Sequence, residues 1–366
     1  MWYISKMEFC DVTTDLWSYL AEEKRPLVIY GTGDGADKII NELENRSLGS
    51  LISGIFASPG FVREGRVFRG FKVESFEDIS ERIKDFIILV AFGSSLPDVL
   101  SYVYSLEKKC ELYAPDVPVC GGPVFDMEFV KQNEDRLQKV WSITADDASR
   151  SCFRNIVNYK LSGRLEYLRG CEVTPGEADS LLGPFEENSS FIDLGAYRGD
   201  TLERFLGMFP ALTSATAVEP ERHSFRKLCE CKDRLEDSLN VKITCVNAVI
   251  SDSCGTALIT ESRGRGTRAA SGAEGRGIDK VNVDSFEDSK NAGFIKFDVE
   301  GSELAALEGA KDTIGKQKPQ MKIACYHKSE DLFTIPEKVF EIRNDYRLFL
   351  RHTPCIPGWD ADFYFL

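Results

Sequence analysis

A glycine-containing turn within residues 191–201 is the stretch best suited to hold a ligand. The apolar run at its start includes Asp193, and Gly195 and Gly199 follow before a predicted helix. Glycine lets the backbone adopt positive φ and approach a ligand closely, and a helix N-terminus offers unbonded N–H groups. Such turns lie at the carboxyl edge of parallel sheets, where ligands bind. Because Asp193 ends the predicted strand, a cationic ligand is favoured over a phosphate, which Lys or N–H groups would bind.

A second predicted strand, residues 214–218, ends at Glu219. An acid about 20 residues after a glycine turn is suited to accept hydrogen bonds from the two hydroxyls of a ribose. A third predicted strand, residues 241–249, carries Asn247 near its end. These features indicate an adenosine-type ligand without a pyrophosphate.

A fourth predicted strand, residues 293–301, carries Lys296, Asp298 and Glu300 at a period of two. That period places all three ionisable groups on one face near the strand's end. Such a concentration at the tip of a buried strand indicates a site, with salt-bridge support for the sheet as the alternative. We predict catalytic roles for Asp298 and Glu300 and substrate binding by Lys296. The two acids are also compatible with a divalent metal, although the sequence offers few further ligands.

Two of the three histidines, His327 and His352, each follow a predicted strand near the C-terminus. A neutral imidazole can take a proton from a hydroxyl near pH 7. We predict that His327 is the catalytic base, with Asp298 or Glu300 as the alternative base and a structural role as the other alternative. His352 and its neighbour Arg351 are predicted to bind substrate.

An arginine-rich, glycine-rich stretch, residues 260–277, interrupts this acidic half of the chain. Four arginines in such a loop favour binding of an anion such as a phosphate, and a solvent-exposed loop is the alternative. Arg268 is therefore a candidate substrate-binding residue.

The second half of the chain resembles the FkbM-type, S-adenosylmethionine-dependent methyltransferases. The resemblance is carried, in chain order, by FIDLGAYRGDT, AVEPERHSF, NAVISD, VNVDSF, FIKFDVEGSELAALEGA, CYHKSEDLFTIP, YRLFLRHT and a closing DFYFL. It implies a seven-stranded class I methyltransferase sheet.

The resemblance also implies roles for individual residues. Glu219 and Pro220 would lie at the ribose, Asn247 and Ala248 at the adenine edge, and Ser271 beside the substrate. The methionine part of S-adenosylmethionine would be held by the first motif, whose residues are Asp193, Gly195, Ala196, Tyr197, Gly199, Asp200 and Thr201. Asp298 is also predicted to bind the cofactor. Asp200 and Thr201 are equally compatible with helix capping.

The first part of the chain is predicted to form a smaller Rossmann-like α/β domain, residues 1–118. An apolar strand ending at Tyr30 precedes Gly31-Thr32-Gly33-Asp34-Gly35-Ala36, which matches a dinucleotide-binding pattern. The next strand ends at Ala57-Ser58, where an NAD site would place Asp or Glu. Another nucleotide, a sugar nucleotide or a scaffolding role therefore remains open for this domain.

The remaining boundaries follow from a Pro- and Gly-rich stretch, DVPVCGGP at residues 116–123. Apolar residues at helical spacing then predict a helical connector, residues 119–188, broken into two helices near residues 144–147. The methyltransferase domain is predicted over residues 189–366. The predicted fold class is thus α/β, a seven-stranded methyltransferase sheet preceded by the Rossmann-like domain and the connector.

Composition excludes several classes of protein. The net charge of −14 argues against nucleic-acid binding. We expect no signal peptide and no membrane-spanning segment, because no basic region followed by an apolar run and no long uninterrupted apolar stretch is present. The eleven cysteines lack zinc spacing and indicate free thiols in a cytoplasmic protein.

The sequence therefore predicts an S-adenosylmethionine-dependent methyltransferase. The resemblance implies O-methylation of a sugar, a glycan precursor in polysaccharide biosynthesis or a small natural product, with a phosphate-bearing substrate favoured by the arginine-rich stretch. Two alternatives are a non-catalytic cofactor- or nucleotide-binding protein and an NAD(P)-linked enzyme acting through the N-terminal domain. The sequence nominates no surface for oligomer formation.

Overall fold

The computed structural model describes residues 7–63, 65–261, 267–269 and 276–366. The chain divides into two compact units. The first comprises Met1–Thr174 and Arg351–Ala361, and the second comprises Pro175–Leu350 and Asp362–Leu366. The predicted boundaries near residues 118 and 188 stay sequence-based proposals. None of the helices in the described part of the chain has the length and apolar character needed to cross a membrane.

The first unit contains a six-stranded sheet in the order β3-β4-β2-β1-β5-β6. Its strands are β1 (Leu27–Tyr30), β2 (Ile52–Phe56), β3 (Val67–Phe68), β4 (Phe71–Glu74), β5 (Ile87–Val90) and β6 (Leu112–Tyr113). The central strands β1 and β5 are buried throughout, as expected for parallel strands covered by helices on both faces. This sheet agrees with the α/β pattern predicted for the start of the chain.

The helices of the first unit are α1 (Leu16–Glu22), α2 (Asp34–Asn45), α3 (Phe76–Arg82), α4 (Pro97–Glu107), α5 (Met127–Gln132), α6 (Glu134–Ile143), α7 (Asp147–Ser162) and α8 (Leu165–Arg169). The break near residues 144–147 is confirmed, since α6 ends at Ile143 and Asp146 caps α7 by accepting a hydrogen bond from the backbone N–H of Ser149 at 2.7 Å. The prediction of two helices is wrong, because residues 127–169 form four, α5 to α8. A side-chain cap of this kind satisfies an N–H group that a helix leaves unbonded at its start.

The second unit contains a seven-stranded sheet in the order β16-β17-β15-β14-β7-β8-β9. Its strands are β7 (Ser189–Leu194), β8 (Leu212–Val218), β9 (Lys242–Val246), β14 (Ala292–Phe297), β15 (Gln320–Ala324), β16 (Leu348–His352) and β17 (Ala361–Phe365). Neighbouring strands from β15 to β9 are parallel, whereas β17 runs antiparallel to β15. The predicted seven-stranded methyltransferase sheet and the α/β class are confirmed.

A smaller four-stranded sheet that the sequence did not predict has the order β10-β13-β11-β12. Its strands are β10 (Ala248–Ile250), β11 (Gly255–Glu261), β12 (Thr267–Ala269) and β13 (Arg276–Val281). The helices of the second unit are α9 (Pro175–Asp179), α10 (Asp200–Met208), α11 (Arg222–Ser238), α12 (Glu303–Glu308), α13 (Lys311–Gln317) and α14 (Asp331–Ile342).

An aromatic cluster fixes the centre of the seven-stranded sheet. Phe191 of β7 stacks on Phe294 of β14 with 4.8 Å between ring centroids, and Phe205 of α10 meets the Phe294 ring edge-on at 4.9 Å. All three side chains are fully buried, and such ring pairs add to the free energy gained by burying their apolar area. The cluster holds α10, and with it the turn that begins α10, against the two central strands.

The predicted fourth strand is shorter than expected, because β14 ends at Phe297. Only Lys296 lies on the strand, and Asp298 and Glu300 lie in the turn that follows. Glu300 has a φ of +51°, a conformation that interrupts a strand and that non-glycine residues rarely adopt. The prediction that all three follow a strand's period of two is therefore wrong, although all three stay at the carboxyl edge of the sheet.

Candidate active site

Four consecutive strands of the seven-stranded sheet deliver the predicted site residues to one edge. Glu219 follows β8, the glycine turn follows β7, Asp298 follows β14 and His327 follows β15. Since these strands are parallel, their carboxyl ends meet at the same edge, where ligands bind in sheets of this kind.

The glycines of the turn are required by packing inside the protein. A Cβ on Gly195, whose φ is +80°, would lie 1.9 Å from the carbonyl oxygen of Asp298, and one on Gly199 would lie 2.7 Å from Sγ of Cys231. These glycines therefore let the turn pack against the β14 turn and α11. This packing explains both glycines without the close approach to a ligand that the sequence suggested. The neighbouring Ala196 is fully buried, whereas Tyr197 is 45% exposed.

Glu219 is held by the backbone of the glycine turn. Its carboxylate accepts hydrogen bonds from the N–H of Tyr197 at 2.9 Å and the N–H of Glu221 at 2.8 Å. The side chain is buried, and burial raises the pKa of Glu219 to about 7. A carboxylate fixed by two N–H groups keeps further lone pairs with which it can accept hydrogen bonds from a diol.

The loop between β9 and β10 reaches the same place. The side-chain amide of Asn247 donates to the carbonyl oxygens of Glu219, at 2.8 Å, and Pro220, at 3.1 Å. Ala248 is fully buried. Asn247 therefore ties the end of β9 to the residue predicted to bind ribose, and its amide nitrogen is engaged by backbone groups in this arrangement.

Asp193 is fully buried behind the turn. It accepts a hydrogen bond from the hydroxyl of Thr201 at 2.6 Å, and its other oxygen lies 3.4 Å from the ammonium of Lys296. Asp193 therefore meets Thr201 and Lys296 behind the turn, and its contact with a cationic ligand stays a prediction. Thr201 does not cap α10, whose N-cap is Gly199, and Asp200 lies in the first helical turn.

Lys296 lies between two carboxylates. Its ammonium is 3.4 Å from Asp193, 3.4 Å from Asp298 and 3.1 Å from the carbonyl oxygen of Gly195. Burial opposes the charged ammonium, but the two carboxylates outweigh it and raise the pKa of Lys296. The lysine predicted to bind substrate thus bridges the β7 and β14 ends, and it is buried.

Asp298 connects this ion pair to His327. It accepts a hydrogen bond from the hydroxyl of Tyr326 at 3.1 Å, and one of its oxygens lies 3.6 Å from Nε2 of His327. Desolvation favours the neutral acid, but Lys296 and His327 outweigh it and lower the pKa of Asp298. Glu300 approaches the same Nε2 at 3.8 Å. The three predicted catalytic residues are therefore brought together.

The imidazole of His327 is 1% exposed, and its Nδ1 lies 2.8 Å from Oε1 of Glu303. Burial alone would lower its pKa, but Glu303, Asp298 and Glu300 raise the pKa of His327 to about 9. The three carboxylates therefore favour a charged imidazole, whereas the proton acceptor predicted from the sequence requires a neutral one. The role of His327 as the base stays a prediction.

Sequence reasoning missed Glu303 and Asp331 as parts of this cluster. Glu303 lies in the first turn of α12, and its carboxylate accepts hydrogen bonds from the N–H groups of Val299 and Gly301 at 3.1 and 3.3 Å. Asp331 accepts from the N–H of Lys328 at 2.7 Å, and burial, followed by the charge of Glu303, raises the pKa of Asp331 to about 7. The signal available in the sequence was that both acids lie at the starts of helices, within the stretches that carry the family resemblance.

A metal would find its potential ligands at a different place from the one predicted. Glu303, His327 and Asp331 each offer one ligand atom, and these atoms lie within 4.8 Å of one another. Asp298 and Glu300, which the sequence suggested, are outside this group. The contact of 2.8 Å between Glu303 and His327 is accounted for by a hydrogen bond, so the arrangement does not require a metal.

Two further predicted substrate residues, Arg351 and His352, have their surroundings in the first unit. Arg351 belongs to the first unit, where its guanidinium binds Asp146 at 2.7 Å and the hydroxyl of Ser149 at 2.8 Å. His352 is fully buried in the same unit, and burial lowers its pKa to about 4. Ser271 and the side chain of Arg268 lie outside the described residues.

Comparison with known proteins identifies a family for the second half of the chain. Residues 193–350 match the family described as the methyltransferase FkbM domain, which confirms the predicted resemblance for this region. No curated protein matches the chain.

Among solved structures, a methyltransferase FkbM from Methylobacillus flagellatus KT matches with a TM-score of 0.73 and 21% identity, over 99% of this chain and 96% of that one. This similarity supports the fold. A precorrin-6y C5,15-methyltransferase from Geobacter metallireducens GS-15 matches with a TM-score of 0.30 and 10% identity, over 49% of this chain and 79% of that one.

Proposed function

We propose, from the FkbM methyltransferase domain in residues 193–350, that the chain is an S-adenosylmethionine-dependent enzyme. Its acceptor would be a hydroxyl of a sugar, a glycan precursor in polysaccharide biosynthesis or a small natural product. The observation that carries this proposal is the position of Glu219. This buried carboxylate, bound to the turn N–H of Tyr197, lies at the same sheet edge as the cluster of Asp298, Glu300 and His327.

The residues present fit an adenosine-type cofactor. Glu219 would accept hydrogen bonds from the ribose hydroxyls, and Asn247 and Ala248 would lie at the adenine. Tyr197, with Arg198 over its ring at 4.9 Å, offers an exposed aromatic surface beside the turn. When bound, S-adenosylmethionine supplies a methyl group attached to a positively charged sulfur. Asp193 and Lys296 would hold the turn in shape behind the cofactor.

The second part of the site would position and activate the acceptor. Asp298 and Glu300, the alternative bases considered from the sequence, would accept the hydroxyl proton, because a charged His327 has no lone pair with which to take it. Their fixed positions would orient the acceptor oxygen, and orientation is a large part of what an enzyme contributes to such a reaction. Nearby negative charge would also favour a cationic methyl donor.

The eleven cysteines have free thiols, which is compatible with the reducing cytoplasm that we propose as the site of action. A phosphate-bearing acceptor stays a proposal based on the arginine-rich stretch.

Observations in the first unit do not favour an NAD(P)-linked enzyme. Ser58, at the position where an NAD site would place an acid, shares a hydrogen bond with the hydroxyl of Tyr30. The first turn of α2 contains Asp34 and Asp37, whose negative charges would repel a pyrophosphate at that helix N-terminus.

Isothermal titration with S-adenosylhomocysteine tests the proposed function. We expect binding by the wild type and a loss of at least tenfold in affinity for Glu219→Ala. Glu230→Ala, which removes an exposed acid on α11 paired only with Lys227 among its described ion pairs, should bind like the wild type. Absence of wild-type binding, with uptake of NADH or a sugar nucleotide instead, would contradict the proposal. Binding would justify a screen of sugars and sugar nucleotides for S-adenosylhomocysteine formation.

A further inference from the structure

We infer that Glu303 is a positioning residue that fixes the imidazole of His327 with Nδ1 as a donor to Glu303 and Nε2 facing Asp298 and Glu300. The inference rests on the proposed function. It gives His327 a role other than that of the base that removes the acceptor's proton. Its basis is the geometry of the ring, both of whose nitrogens face carboxylates.

The Nδ1 side of the ring is held from α12. Oε1 of Glu303 lies 2.8 Å from Nδ1 of His327, and both side chains are 1% exposed. The same oxygen accepts hydrogen bonds from the N–H groups of Val299 and Gly301, so Glu303 is itself fixed by the turn that carries Asp298 and Glu300. A carboxylate in this position makes Nδ1 a donor and sets the orientation of the ring.

The Nε2 side of the ring faces the turn after β14. Asp298 and Glu300 approach Nε2 at 3.6 and 3.8 Å, which is longer than a formed hydrogen bond but within the range of strong attraction between opposite charges. The ring of Tyr326, 4.3 Å from the imidazole between centroids, covers it further. Tyr326 also donates to Asp298, so the histidine and its neighbour act on the same carboxylate.

Other charged groups around the ring come from the loop after β15 and from α14. Asp331 lies at the start of α14, and its carboxylate accepts the N–H of Lys328. The ammonium of Lys328 donates to the carbonyl oxygen of Gly301 at 2.6 Å. The ring thus lies among the carboxylates of Glu303, Asp298, Glu300 and Asp331, and loss of its proton would remove the compensation that it gives to the buried acids. The ammonium of Lys296, 3.4 Å from Asp298, also faces that carboxylate.

Two consequences follow for the proposed reaction. His327 cannot accept the acceptor's proton while both of its nitrogens carry protons, so this task belongs to Asp298 or Glu300. The positive charges of Lys296 and His327 lower the pKa of Asp298, so that this group is an ionised carboxylate that can accept a proton. Glu303 acts on the acceptor indirectly, through His327 and through the turn that carries Asp298 and Glu300.

The test is a nitrogen NMR titration of the histidine rings in the full chain. The chain has three histidines, and the spectrum of His327→Gln assigns the signal of interest. We expect His327 to carry protons on both nitrogens at pH 7.5 in the wild type. In Glu303→Gln its proton affinity should fall at least tenfold, whereas Glu308→Gln, a change of an acid on the same helix that pairs with Lys338, should leave the titration unchanged.

A neutral His327 at pH 7.5 in the wild type would overturn the inference, and so would an unchanged titration in a folded Glu303→Gln. If Glu303→Gln does not fold, the wild-type spectrum still decides. Titration with S-adenosylhomocysteine in parallel separates the two proposals. Failure of the wild type to bind it would contradict the proposed function, whereas binding with a neutral His327 would contradict only the role of Glu303.

Discussion

His327 and His352 are both almost completely buried, yet their surroundings move their pKa values in opposite directions. Burial alone lowers the pKa of His352 to about 4. For His327, the carboxylates led by Glu303 outweigh burial and raise the pKa to about 9. The charge of a buried histidine therefore depends on which side chains the fold places against it.

The raised pKa of His327 predicts a pH dependence of stability. A group with a higher pKa in the folded state stabilises it most below its unfolded pKa, about 6.5, and this contribution is lost as pH rises through about 9. We expect the wild type to lose free energy of unfolding on the order of 3 kcal/mol between pH 6.5 and 9.5 from this group. Urea unfolding should show a smaller loss in His327→Gln; equal losses in both proteins would contradict the assignment.

Glu219 predicts a pH dependence of binding. Burial raises its pKa to about 7, and the ionised carboxylate is the better acceptor for two ribose hydroxyls. Affinity for S-adenosylhomocysteine should therefore rise as pH increases from 6 to 8. Calorimetry on Glu219→Gln should show weaker binding with a flatter pH dependence. A wild-type affinity independent of pH over this range would count against the predicted contact.

At the scale of elements, the turn after β7 depends on a residue without a side chain. Gly195 has positive φ, and a Cβ there would lie 1.9 Å from a backbone oxygen in the turn after β14. A methyl group would push apart the two strand ends that carry Asp193 and Asp298. The sequence explained this glycine by a ligand, but the contact lies between two parts of the fold.

Gly195→Ala is therefore expected to reduce the free energy of unfolding by at least about 2 kcal/mol. The control is Gly207→Ala in α10, where nothing lies within 4 Å of the added Cβ. That change should be neutral or stabilising by up to about 1 kcal/mol, because alanine is the better helix former. Urea unfolding measures both. Similar free energies of unfolding for Gly195→Ala and Gly207→Ala would show that the turns after β7 and β14 can move apart without loss of stability.

At the scale of the whole molecule, the two units carry different features. The second contains the residues that match the FkbM methyltransferase domain and the candidate site, and the first contains a six-stranded sheet with a glycine turn of its own. The first unit also includes Arg351–Ala361, whose Ile356 pairs with Ser94 and whose His352 pairs with Glu172. Domain boundaries drawn as continuous stretches of sequence could not place this segment near the C-terminus in the first unit.

Ligand binding should therefore stabilise the units differently. At a concentration of S-adenosylhomocysteine 100 times its dissociation constant, a two-state unit gains about 2.7 kcal/mol. We expect hydrogen exchange to slow in residues 195–201 and 217–221, and to stay unchanged in β1 and β5. Protection confined to the first unit would place the ligand there and contradict the proposed site.

The sequence by itself determined the strand–turn–helix pattern, the order of the motifs and the acids at the strand ends. These are local features, because apolar periodicity and glycine positions follow from the chain's immediate neighbours. Tertiary structure decided which charges face one another. Only the fold brings Glu303 to His327 and Lys296 between Asp193 and Asp298, and only their burial fixes the resulting protonation. The physical reason is that desolvation and charge interactions depend on distance in space, which residue spacing along the chain does not specify.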